Sequence, residues 1–222
     1  MPFKAIIFDL DGTLVEFTYR FREAKKSVIK YLSEIGIRFS DKTYEYSIQD
    51  IIDEVTKTLK NNNEHKLDDV RNEIEIILNR FEIEASKNTR LHKDAITVLR
   101  KLKEKDYSLA IVTNNGRKAT LSTLNRLDLT QYFDVIITRS EVSKLKPNPE
   151  GIETALKLLK VEPNKTMFVG DSTLDINAGT SGGVTVTAFT GGPTEIGKLS
   201  ALGPEFIITR LIDILTIVDQ SK

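Results

Sequence analysis

Lys4-Ala5-Ile6-Ile7-Phe8-Asp9-Leu10-Asp11-Gly12-Thr13 decides how the rest of this chain is read. An unbroken apolar run leads into two carboxylates one residue apart, then a glycine and a hydroxyl. Such a run is what a strand buried on both faces of a parallel sheet looks like. Open α/β sheets bind ligands just beyond the carboxyl ends of their strands. Two acids at that edge make a strongly negative site that asks for a cation. An ordinary Asp-Gly turn after a strand is the plainer alternative. A calcium loop fits poorly, because Gly12 comes too early and no bidentate acid follows at the required distance.

Five more β-rich runs follow, at 108–113, 134–138, 165–170, 184–189 and 205–209. Helical patterns separate them at 92–105, 117–127, 149–160, 173–181 and 194–201, and a last helix is expected at 210–219. Alternation of this kind implies right-handed crossovers, hence a parallel sheet with helices on both faces, a Rossmann-like α/β core. Residues 15–90 interrupt it. They read as three helices, near 18–35, 42–60 and 66–86, with a turn at Asn61-Asn62-Asn63. In the third, Leu67, Val70, Ile74, Ile77, Leu78 and Phe81 recur at helical spacing against a polar opposite face. The expected organisation is a core from 1–14 and 91–222, with a helical cap at 15–90. Two linkers, near 14–17 and 87–91, would form a hinge.

Composition narrows the classes of function. The chain has 222 residues, with 32 basic and 32 acidic side chains and a formal charge of zero. That balance argues against a protein built to grip nucleic acid. Without cysteine there is no disulfide, no thiolate nucleophile and no Cys-ligated zinc. No apolar stretch approaches membrane-spanning length, and the first apolar run is short and ends at Asp9, unlike a signal peptide. A cytoplasmic enzyme, monomer or homodimer, without membrane or nucleic-acid partners, is the expectation.

Four strand ends carry the chemistry. At the first, Asp9 is held by the sheet as a nucleophile would need to be, and Asp11 is placed to act as a general acid and then to activate water. At the second, Thr113 and Asn114 follow Ile111-Val112 and are candidates to bind a phosphate, although Thr and Asn are also common helix caps. At the third, Lys146 precedes a proline; it is either a fixed, charge-balancing ammonium or a solvated loop lysine. At the fourth, Gly170-Asp171-Ser172-Thr173-Leu174-Asp175 ends another apolar run. Asp171 is a candidate magnesium ligand, and Asp175 would bind through water or steady Lys146. Capping of the next helix is the alternative for both acids.

Taken together, Asp-x-Asp-Gly-Thr, a strand-end Thr, Lys-Pro and Gly-Asp-x-x-x-Asp, in that order, resemble the signature of the haloacid dehalogenase-like hydrolases. The segment 15–90 looks like that superfamily's first-position helical cap, as in phosphoglycolate phosphatase-like members. The resemblance implies a Mg²⁺-dependent phosphatase of a small phosphorylated metabolite, working through an aspartyl-phosphate. It makes Asp9 the nucleophile, Asp11 the acid/base, Lys146 the charge-balancing lysine and Thr113 the phosphate hydroxyl. Its metal set is Asp9, Asp11 through the backbone carbonyl, Asp171 and Asp175. Arg20, on the charged first cap helix, is a candidate substrate contact. Asp11 argues against the superfamily's dehalogenases, which need no such acid, and Leu10 against its ion pumps, which carry lysine there. A phosphohexomutase on the same core, or a non-catalytic binding protein of this fold, are the alternatives. One departure concerns the second linker: many relatives have a Pro-Gly pair where this chain has Leu91-His92-Lys93. His92 reads as a surface residue at a helix start.

Overall fold

In this computed structural model, residues 2–38, 46–60 and 64–221 are described. The expected turn at Asn61-Asn62-Asn63 and the expected helical residues 42–45 lie outside them.

Six strands form one sheet: β1 (Ala5–Phe8), β2 (Ser108–Val112), β3 (Val135–Ile137), β4 (Thr166–Gly170), β5 (Thr185–Phe189) and β6 (Phe206–Ile208). All pairs are parallel, in the order β3-β2-β1-β4-β5-β6. The chain builds outward from β1 through β2 to β3, then crosses back to place β4 on the other side of β1. That reversal makes β1 the switch point, where the carboxyl ends of neighbouring strands open a crevice. Register levels the ends: Phe8 pairs with Ile111 on one side and Val169 on the other. Asp9, one residue on, therefore lies between the last residues of β2 and β4.

The apolar strands are buried on both faces because helices cover both. Ile6 and Phe8 pack with Val98, Leu99 and Leu102 of α4 (Ala95–Glu104) and with Ile214 and Val218 of α9 (Asp213–Gln220). Ile7, pointing the other way, joins Phe168, Ile152 and Ala155 of α6 (Glu150–Leu159), and Ala178 of α7 (Thr173–Ser181). Alternation along the strand sends neighbours to opposite faces. Burying a side chain of this size stabilises by roughly 2 kcal/mol. The remaining core helices are α5 (Arg117–Arg126) and α8 (Ile196–Ser200).

The chain divides into two compact units, Met1–Thr18 with Lys87–Lys222, and Tyr19–Ser86. The second is helical: α1 (Phe21–Glu34), α2 (Ile48–Lys60) and most of α3 (Glu64–Asn88). Its buried side chains, among them Val28, Leu32, Ile51, Val55, Ile74 and Leu78, recur at helical spacing. Within the first unit, the two stretches that lead to the helices pair with each other. Val15 bridges Leu91 in antiparallel sense, Glu16 N–H donates to Arg90 O at 2.8 Å, and His92 N–H donates to Leu14 O at 2.9 Å.

That pairing explains one difference from expectation. The helix read from residue 92 begins at Ala95. His92 is still extended in the pairing, and Asp94 turns the chain with a left-handed φ of 68°. Asp accepts that conformation better than most residues other than glycine.

Candidate active site

Asp9 leaves β1 with its peptide N–H still donating to Val169 O at 2.9 Å, so the sheet ladder sets its position. The sharp bend after Asp11 falls on Gly12, at φ 89°. A Cβ there would also lie 2.5 Å from Asp171 Oδ2, so the position excludes other residues on two counts. Thr13, fully buried, donates from Oγ1 to Asp171 Oδ1 at 2.8 Å. The loop after β1 is thereby tied to the end of β4.

Lys146 is 6 % exposed, so it is not a solvated loop lysine. An ammonium has three N–H donors, and all are used: Asp9 Oδ1 at 2.5 Å, Asp175 Oδ1 at 2.6 Å and Val112 O at 3.1 Å. Asp175 fills two of the roles set out for it. Its Oδ2 accepts from Ser172 N–H at 2.9 Å and Ser172 Oγ at 2.5 Å, closing a capping box at the start of α7. Its Oδ1 steadies Lys146.

Oxygens of Asp9, Asp171 and Asp175 lie within 4.8 Å of one another, and all three residues are buried. Three carboxylates face one ammonium. Burial pushes the Asp9 carboxyl up to about 7; Lys146 opposes this, and Asp175 and Asp11 add to it. Burial likewise pushes Asp171 up to about 8, with Asp175 and Asp9 adding, against the Thr13 hydrogen bond and Lys146. For Lys146, burial works to lower the pKa, but Asp175 and Asp9 outweigh it and raise it. Lys146 therefore keeps its proton, while Asp9 and Asp171 give theirs up only well above the ordinary carboxylate range unless a second cation offsets their charge. A hard divalent cation with oxygen ligands fits this donor set.

Asp11 stands outside that trio. Its carboxylate accepts from Asn115 Nδ2. Thr113 is buried and its Oγ1 accepts the Asn115 N–H at 3.2 Å, which leaves the hydroxyl proton available to a ligand. Asn114 faces Lys146: Nδ2 donates to Lys146 O at 3.1 Å, and Oδ1 accepts Lys146 N–H at 2.9 Å. The structure thus gathers Asp9, Asp11, Thr113, Asn114, Lys146, Asp171 and Asp175 at one sheet edge. Arg20 belongs to the helical unit. There its half-exposed guanidinium pairs with Glu84 at 2.7 Å and lies over the Phe81 ring.

Several residues gain roles that the sequence reading did not give them. Asn115 engages Asp11, Thr13 engages Asp171, and Ser172 engages Asp175. Ser172-x-x-Asp175 is a recognisable capping pattern that could have been found. Gly192 is a further one: a Cβ there would fall 1.9 Å from Asp171 Oδ2. His92 is not the surface residue expected. Its ring meets Phe189 edge-on at 5.2 Å, it hydrogen-bonds the Gly12 backbone, and its Nε2 is buried without a partner. Burial lowers its pKa, against Glu16 and the Gly12 bond.

Residues 6–189 match the family of haloacid dehalogenase-like hydrolases, and the chain belongs to that family of enzymes. Pyrophosphatase PpaX of Bacillus cereus is 27% identical over 223 residues, covering 99% of this chain and 98% of that one. A Bacteroides fragilis structure assigned to the haloacid dehalogenase-like hydrolases superposes with a TM-score of 0.69 at 25% identity, covering 96% of this chain and 99% of the other. A hydrolase of the same superfamily from Ehrlichia chaffeensis gives a TM-score of 0.62 at 26% identity, over 99% and 98% of the two chains. Among the described residues, no helix is long and apolar enough to cross a membrane.

Proposed function

We propose that this enzyme is a Mg²⁺-dependent phosphatase that hydrolyses a small phosphorylated metabolite through an aspartyl-phosphate on Asp9. The observation that carries the reading is the buried set of Asp9, Asp171 and Asp175 around Lys146, with Asp11 two residues beyond Asp9.

In the first step a carboxylate oxygen of Asp9 bonds to phosphorus. The bond to the leaving oxygen breaks, and that oxygen takes a proton from the Asp11 carboxyl. In the second, the Asp11 carboxylate removes a proton from water; the water oxygen bonds to phosphorus and the Asp9–phosphorus bond breaks. Asn115 orients the Asp11 carboxylate for both transfers. Thr113 donates to a phosphoryl oxygen, and Lys146 offsets charge on Asp9 and the phosphoryl group. Mg²⁺, held by Asp9, Asp171 and the Asp11 carbonyl, would neutralise phosphoryl charge and favour in-line approach. Asp175 serves mainly through Lys146.

In this reading the segment 15–90 is a cap, Arg20 one of its substrate contacts, and the setting cytoplasmic. The pyrophosphatase relatives make inorganic pyrophosphate the first compound to test. Nothing at the site favours a mutase. A chelator should abolish phosphate release from an aryl phosphate, and added Mg²⁺ should restore it. Full turnover by metal-free protein would defeat the proposal.

A further inference from the structure

Lys146 must hold three short contacts at once, yet it sits on a stretch that is part of no strand or helix. Between the turn at Arg139–Glu141 and α6, the backbone has no ladder to position it. Two tethers act at the far end of this loop: Ser143 and Lys144 N–H donate to Glu150 at 2.7 and 2.9 Å. At Lys146 itself the tether is Asn114, 32 residues away. One amide meets both backbone groups of the lysine, accepting its N–H at 2.9 Å and donating to its carbonyl at 3.1 Å. In an antiparallel sheet, a hydrogen-bonded residue pair exchanges the same two bonds. Here a side chain takes the neighbouring strand's part.

The Asn114 side is itself held. Its carbonyl accepts from Arg139 Nη1 at 2.8 Å, and Arg139 N–H donates to Asn115 O at 2.9 Å. It also follows Thr113, whose N–H donates to Ile137 O at 3.0 Å at the end of β2. A rigid strand end is thereby extended, through one amide, to an irregular loop. Both ends of the amide are committed, and reversing it would set donor against donor.

From this geometry we infer that Asn114 is a positioning residue for Lys146 and not a substrate contact. The inference rests on the reading of Lys146 as the charge-balancing group. The alternative, that Asn114 binds the substrate, assigns its amide to a ligand and leaves the two bonds to Lys146 without a purpose.

Asn114→Asp keeps the shape of the side chain but turns an oxygen toward the Lys146 carbonyl. Asn114→Ala removes both bonds. Steady-state kinetics with an aryl phosphate and with inorganic pyrophosphate test them, alongside Lys146→Ala and the unaltered protein, with thermal unfolding recorded for each. Misplacing a reacting group by about an ångström costs up to about a hundredfold. Both Asn114 variants should lose between about ten- and a hundredfold in kcat, by the same factor on whichever of the two substrates is turned over, with KM within about twofold. A raised KM with kcat unchanged would make Asn114 a substrate contact and overturn the inference. So would unchanged kcat in Asn114→Asp when Lys146→Ala has lost its activity. If Lys146→Ala is as active as the unaltered chain, the reading of Lys146 falls instead, and the clamp with it.

Discussion

The sheet edge and the helical unit spend their charged residues in opposite ways. At the edge, Lys146 is buried and joins Asp9, 137 residues away, to Asp175, 29 residues away. In the helical unit Arg20 and Glu84 form a solvent-facing pair, and Lys30 and Glu34 join neighbours on one helix. The interior of that unit is formed mainly by apolar side chains such as Leu32, Ile51 and Leu78, with Lys25 and Glu82 also buried. Taking charges out of water costs several kcal/mol per ion, and exposed pairs return about 1 kcal/mol or less. The edge therefore gathers three buried acids around one ammonium, a burden that folding alone does not need, whereas among the described residues the helical unit buries Lys25 and Glu82 apart from any such cluster, with Lys25 donating to Tyr46 O at 2.6 Å.

The comparison sharpens first through metal and pH. Asp9, at about 7, and Asp171, at about 8, both lie above their ordinary 3.8. In metal-free protein the folded state thus keeps protons that the unfolded state releases above pH 4. Its stability should fall as pH rises from about 4 to about 8. A cation that binds the deprotonated carboxylates reverses that loss. The gain in Tm on adding Mg²⁺ should be several degrees at pH 8 and much smaller at pH 5.5. An equal gain at both would mean the cation does not bind this cluster.

At the other extreme, Arg20→Ala should change the unfolding free energy by about 1 kcal/mol or less, measured by denaturant titration. Its pair with Glu84 is more than half exposed on both sides. A loss of about 3 kcal/mol would show that the helical unit also relies on its charges and would erase the contrast.

What could be read from sequence follows the same division. Each strand whose end lines the candidate site is an apolar run ending in a polar residue. For that reason β1 with Asp9, β2 with Thr113 and β4 with Asp171 were visible from order alone. Lys146 was visible only as one of two possibilities, because burial of a loop residue depends on what the rest of the chain packs around it. The Asn114 clamp and the bond from Asn115 to Asp11 were not visible. Both depend on how the end of β2 is levelled against the loops after β1 and β3, which is a matter of register and not of local pattern. His92 is not placed by helix periodicity, which does not show that the pairing of Leu14 with His92 delays the helix until Ala95. Gly192 gives no local signal at all: its constraint is the Asp171 carboxylate, 21 residues earlier in the chain.

The central claim is that Asp9 carries the phosphoryl group. Brief reaction with a ³²P-labelled substrate, acid quenching and peptide mapping would test it directly. The account predicts label on the peptide containing Asp9 and none in Asp9→Asn, whose turnover should fall by about a thousandfold or more. With an aryl phosphate, whose leaving group needs little protonation, it also predicts that Asp11→Asn retains label on Asp9 longer, because the water that clears it lacks its base. Label on another residue, or turnover in Asp9→Asn close to that of the unaltered protein, would contradict it.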